Sequence, residues 1–98
     1  MVFKDYINPH QDARESSPFY RMLKTWAEID LSALRHNTGY IKSLLPEDIR
    51  IMAVVKCNAY GHGVLEVTRE LVSQGIEALG VSSLFEGVEL RKEFKDIP

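Results

Sequence analysis

The sequence predicts an α/β fold with a parallel sheet, and three observations predict it. Short apolar runs alternate with longer helical patterns from Thr25 onward, the run "RIMAVVK" is continuously apolar and rich in branched residues, and the segments between runs are long enough for right-handed crossovers. "TWAEIDL", residues 25–31, alternates Trp26, Glu28 and Asp30 against Ala27, Ile29 and Leu31, as a strand does. Ser32 is the expected cap of a first helix, whose Leu34, Ile41, Leu44 and Leu45 fall on one face until Pro46 forbids continuation. "RIMAVVK", residues 50–56, is then expected as a central strand covered on both faces. A second helix carries Val64, Val67, Leu71 and Val72 on one side and stops near Gly75, a left-handed terminator. "IEALGVSSL" is the next strand, "FEGVELRKEF" the third helix, and "KDIP" falls where another strand is due. A closed parallel barrel takes about 250 residues. These 98 residues therefore supply an opening segment, whose open edges and apolar faces a remainder should cover.

Composition limits what such a segment can do. With 98 residues, 45% of them hydrophobic, it can bury one modest core. A formal charge of −2 gives no excess of Lys and Arg, so nucleic acid is not an expected partner. The single Cys57 cannot build an internal disulfide, and no apolar run reaches the roughly 18 residues of a membrane helix, so the expectation is a cytoplasmic chain with no membrane partner. Residues 1–24 lack the apolar stretch of a secretory signal and read as a mobile leader or docking arm, leaving residues 25–98 as the folded segment.

Lys56 stands where the apolar strand ends and the polar cluster Asn58, Tyr60, Gly61, His62 and Gly63 begins. Read by itself, it caps a strand and reaches solvent with its head. Its place gives a second reading, because the carboxyl ends of parallel strands are where such folds collect reactive groups. A lysine held there in low-dielectric surroundings offers its amine as a base or as a nucleophile toward a carbonyl. Gly61 and Gly63 allow close backbone approach before a helix, yet they match neither a Walker loop nor a dinucleotide fingerprint, and a plain tight turn explains them as well. Tyr60 could offer its hydroxyl to a phosphate or to Lys56, or pack its ring over the strand end. His10, His36 and His62 are too dispersed for zinc, Glu28 and Asp30 suit ordinary solvation or pairing, and Glu86, Glu89, Arg91, Lys92 and Glu93 look like a charged outer helix face. Cys57 reads as inert packing.

The string "VVKCNAYGHG", residues 54–63, closely resembles the cofactor-lysine segment of the alanine racemases, with Cys57 where a smaller residue is usual. "TWAEIDLSALRHN", residues 25–37, resembles the opening of the same family, and "GVSSLFEGVELR", residues 80–91, its next strand and helix. The resemblance implies the opening portion of a parallel (β/α)8 barrel of the TIM type, incomplete in this chain, in a homodimeric protein that uses pyridoxal 5'-phosphate. It implies that Lys56 holds the cofactor covalently and serves as the base on one face of the substrate α-carbon, interconverting L-alanine and D-alanine. Tyr60 corresponds to the family's phosphate-binding tyrosine, so the opposite-face proton donor, the family's partner-subunit tyrosine, is not Tyr60. Val54 and Leu84 are expected beside the cofactor from neighbouring strand ends, positions that barrel packing explains equally. The resemblance gives His62 a structural part in the loop. Serine-preferring relatives share the motif, and a non-catalytic segment that binds only cofactor or its missing remainder is the competing reading.

Overall fold

The computed structural model describes residues 2–4 and 27–98. The expected leader over residues 1–24 lies outside them except for Val2–Lys4, and so do Thr25 and Trp26 of the first expected strand. In chain order the elements are β1 (Val2–Lys4), β2 (Glu28–Asp30), α1 (Leu31–Ser43), β3 (Met52–Val54), a short turn of left-handed helix (Lys56–Tyr60), α2 (Val64–Ser73), β4 (Ala78–Gly80) and α3 (Leu84–Glu93).

The strands pair in parallel, as the crossovers require, but in two separate ladders. β3 pairs with β4, Ala53 opposite Leu79, while β2 pairs with β1, Ile29 opposite Phe3. The parallel pairing expected from the sequence thus appears among the described residues as two ladders, with β2 apart from β3. Glu28 and Asp30 are exposed on either side of half-buried Ile29, and a strand so polar on one face does not suit the middle of a parallel sheet. Gly80 lets β3 and β4 approach: a Cβ there would meet Val54 Cγ2 at 3.3 Å. Beyond the ladder, the Leu79 N–H donates to the Pro98 carbonyl at 2.9 Å, so "KDIP" does return to the free edge of β4. Arg91 holds that return in place, its Nη1 donating to the carbonyls of Phe94, Lys95 and Ile97.

Helix ends follow local chemistry. α1 is capped by Asp30 instead of Ser32: the carboxylate accepts from the Ala33 N–H at 3.0 Å and from the Ser32 hydroxyl at 2.7 Å. A charged acceptor two residues earlier satisfies the first turn and favours the positive end of the helix dipole, and Ser32 becomes its donor. α2 closes as foreseen, with Gly75 at φ +77. The Gly75 N–H donates to Val72 O and the Ile76 N–H to Leu71 O, the paired bonds of a Schellman ending, with Leu71 and Ile76 both buried.

One core results, built from Val55, Ala59, Val67, Leu71, Ile76 and Leu90, with Ile51, Ala53, Leu79 and Phe94 packed against it. α1 joins through Leu34 and through Arg35, whose guanidinium grips Glu70 of α2 with two bonds at 2.8 and 3.1 Å. Lys42 Nζ adds a bond to Gln74 O at the end of α2. The core covers one face of the β3–β4 pair only. Met52 and Val54 on the other face are 61% and 51% exposed, the open apolar face expected of an opening segment whose central strand is covered on only one side by these residues. Ile41, Leu44 and Leu45 of the expected α1 face are exposed as well. The cause is common to both: these apolar surfaces face outward from the only core present among the described residues.

Thr68, fully buried in α2, has no hydrogen-bond partner for its hydroxyl among the described residues. Thr68→Val keeps the shape and removes the unpaired group, so it is expected to raise the unfolding free energy by about 1 kcal/mol. Urea unfolding of the two proteins measures this, and a drop in stability would show that the hydroxyl has a partner.

Candidate functional site

The site is built at the carboxyl end of β3. Alternation along the strand sends Ala53 and Val55 toward the core and leaves Met52 and Val54 open. Val55 follows the last paired residue of β3, its N–H donating to Gly80 O at 2.8 Å. Lys56 follows, half-buried and, among the described residues, without an ion-pair partner. Its Nζ lies 5.9 Å from the centre of the Tyr60 ring, a cation–π distance.

After Lys56 the backbone reverses its hand. Cys57, Asn58, Ala59 and Tyr60 have φ of 54, 56, 52 and 55°, and Gly61 ends the turn at φ 85°. Left-handed helix costs about 1–2 kcal/mol per non-glycine residue, because Cβ crowds the following carbonyl. Hydrogen bonds and burial offset it. The Ala59 N–H donates to Val55 O and the Gly61 N–H to Cys57 O, the Gly63 N–H donates to Asn58 O, and the Ala59 methyl is buried in the core. His62 Nδ1 donates to Ala59 O at 2.9 Å, giving this histidine a backbone-binding place in the loop. Asn58 Oδ1 accepts from the Val64 N–H at 2.9 Å, capping α2 from six residues upstream, since its formal cap residue Gly63 has no side chain to do so.

Glu86 closes the turn from the other side. It is the third residue of α3 and forms a reciprocal capping box with Ser83. One carboxylate oxygen, Oε2, accepts from the Ser82 N–H, the Ser82 hydroxyl and the Ser83 N–H; the other, Oε1, accepts from the Cys57 N–H at 2.7 Å. The Cys57 bond first, and the Ser82 bonds next, hold this carboxyl below the usual glutamate range.

The residues expected at the site are placed unevenly. Val54 and Tyr60 line one cleft of about 520 Å³, together with Ile29, Asn37 and His62. Lys56 and Leu84 are not among the residues lining it. Leu84 opens α3 beyond the end of β4 and is 80% exposed. Cys57 is exposed, which corrects its reading as a packing residue: with φ at +54° its side chain turns off the core side that Ala59 occupies. No cluster of metal-ligating side chains occurs among the described residues.

Residues 29–98 match the family model for the alanine racemase N-terminal domain. The chain belongs to that family. Relatives include the alanine racemase of Halothermothrix orenii, 49% identical over 74 residues, 76% of this chain and 20% of that one. Alanine racemase 1 of Bacillus subtilis is 46% identical over 78 residues, 80% of this chain and 20% of its own. A solved alanine racemase from Clostridium difficile 630 superposes with a TM-score of 0.73 at 45% identity, covering 79% of this chain and 21% of that one; a second structure of it, in complex with cycloserine, gives the same score. The fold is thus the opening portion of the family's barrel, and the chain spans about a fifth of the length of the relatives it matches.

Family strings drew attention to Lys56 and Tyr60, while Asn58 and Glu86 escaped it. Glu86 had a readable signal, since Ser83 followed by Glu86 is the spacing of a capping box. Its second bond, to an amide 29 residues earlier, had none.

Two stability measurements test this geometry. Asn58→Ala, losing the cap of α2 and a residue that tolerates positive φ, is expected to lower stability by about 1 kcal/mol in urea unfolding. The Glu86 carboxylate, its pKa depressed by folding, stabilises the chain fully above the ordinary glutamate value. That contribution is lost as pH falls from there through the lower folded value. The stability gap between wild type and Glu86→Gln is therefore expected to be full at neutral pH and to close only in that acid window; a gap independent of pH would refute the assignment.

Proposed function

We propose that this chain supplies the cofactor-lysine part of a pyridoxal 5'-phosphate-dependent racemase acting on a small amino acid, alanine first. The observation that carries this is Lys56: a half-buried amine, with no ion-pair partner among the described residues, at the carboxyl end of a parallel strand inside the family-matched region. The donor set fits such a cofactor, with a primary amine for an aldehyde carbon and, one turn later, an exposed phenol able to donate to a phosphate.

In this reading Lys56 Nζ holds the cofactor covalently, and once released it takes or returns the proton at the substrate α-carbon on its own face. The Tyr60 hydroxyl donates to the cofactor phosphate and fixes its position. Val54, exposed at the strand end, and Leu84, exposed at the start of α3, give apolar walls to that side of the site. Pyridoxal phosphate itself supplies the electron sink that makes α-proton removal accessible. The left-handed turn keeps the base of the Lys56 side chain rigid, which limits the misplacement that proton transfer does not tolerate. The remaining proposals follow the family: a cytoplasmic homodimer serving D-alanine biosynthesis, with alanine and serine to be separated by direct comparison of the two substrates. The exposed apolar face of β3, and a span of a fifth of the relatives' length, favour a second reading in which these residues alone bind cofactor without turning over substrate.

The test is incubation with pyridoxal phosphate, borohydride reduction and peptide mass mapping, with Lys56→Ala beside the wild type. A stable pyridoxyl adduct confined to the Lys56 peptide is expected, and none in the variant. Labelling spread evenly over Lys42, Lys92 and Lys95 would sink the proposal.

A further inference from the structure

Lys56 is anchored on both sides by single hydrogen bonds from neighbouring backbone amides. On one side the Val55 N–H donates to Gly80 O at 2.8 Å; on the other the Cys57 N–H donates to Glu86 Oε1 at 2.7 Å. The first is an ordinary ladder bond. The second joins a strained turn to a helix that starts in a different strand–helix unit, and Cys57 is the residue where the left-handed conformation begins.

We propose that Glu86 is a positioning residue for Lys56: its carboxylate reaches from the first turn of α3 to the Cys57 amide and fixes the peptide plane from which the lysine side chain springs. The inference rests on the reading of Lys56 as the cofactor-carrying residue. A glutamate serving only as a helix cap needs one oxygen. Here Oε2 alone takes the bonds at the head of α3, from Ser82 N–H, Ser82 Oγ and Ser83 N–H, and this leaves Oε1 for a backbone group outside the helix. The carboxylate also sits where the amide dipoles at the start of α3 favour negative charge, so the group that clamps Cys57 is ionised at neutral pH. The depressed pKa is the consequence of this geometry.

The two roles separate in Glu86→Gln. Glutamine has one acceptor oxygen, and three donors near Oε2 against one near Oε1 orient that oxygen toward α3. The cap then survives, as glutamine serves a capping box, while an NH₂ group faces the Cys57 N–H and no bond can form. Ser83→Ala is the reverse control: it removes the serine half of the box and leaves the carboxylate on Cys57.

The experiment uses the full chain, labelled with ¹⁵N, and two readouts. Amide hydrogen exchange reports the clamp, and borohydride trapping with pyridoxal phosphate reports Lys56, with Lys42, Lys92 and Lys95 as internal standards. In Glu86→Gln we expect Cys57 exchange to rise about tenfold or more with the α3 amides little changed. The preference for labelling Lys56 over the standards is expected to fall several-fold. Ser83→Ala is expected to leave the Cys57 amide and the Lys56 preference as in wild type. Cys57 exchange equal in wild type and Glu86→Gln would overturn the proposal, as would a change spread evenly over α3. A Cys57 amide that responds as expected in Glu86→Gln, with no Lys56 preference in the wild type, would support the clamp and overturn the cofactor reading.

Discussion

The site depends on one backbone constraint, the reversal of hand between Lys56 and Gly61. A reversal to left-handed backbone is normally made through glycines. Here Cys57, Asn58, Ala59 and Tyr60 make the reversal with side chains present. Such a turn persists only when its surroundings hold it in place. Ala59 in the core, the internal N–H to carbonyl bonds, the Asn58 cap on α2 and the Glu86 clamp together do so. The strained backbone begins directly after Lys56, at the candidate site.

The fold was legible where a single residue type carries a single physical demand. Gly75 had to end α2 because positive φ suits glycine, Pro46 had to stop α1 before it, and the apolar runs at 51–55 and 76–80 had to be strands because they are too short for core helices. Legibility failed where two local solutions compete. Asp30 and Ser32 can each cap a helix, and the charged acceptor won. The left hand of the turn could not be read from Cys, Asn, Ala and Tyr, since only asparagine among them tolerates it readily. The open faces of β3 and α1 were legible only as apolar surfaces to be covered, since composition says nothing of which residues do the covering.

The candidate site shows the same division. Lys56 and Tyr60 were found through a string that resembles a family, and their spacing now has a physical sense: one left-handed turn brings the Tyr60 ring to 5.9 Å from the amine. Glu86 looked like one member of a charged surface. Its bond to the Cys57 amide exists only because strand pairing of β3 with β4 brings the start of α3 beside the end of β3. The closed face of the small sheet holds the core, and the candidate site lies at the strand ends.

The turn also sets a rule for which side chains the segment can accept. A left-handed residue places its Cβ against its own carbonyl, and a second branch at Cβ makes that crowding severe. For the backbone, substitutions across Cys57–Tyr60 are thereby sorted by branching, with Val, Ile and Thr disfavoured whatever their polarity and unbranched residues tolerated better, most of all at exposed Cys57. The segment thus carries a stereochemical filter beside the hydrophobic one at buried Ala59, and variation within it is steered first by the shape of the side chain at Cβ.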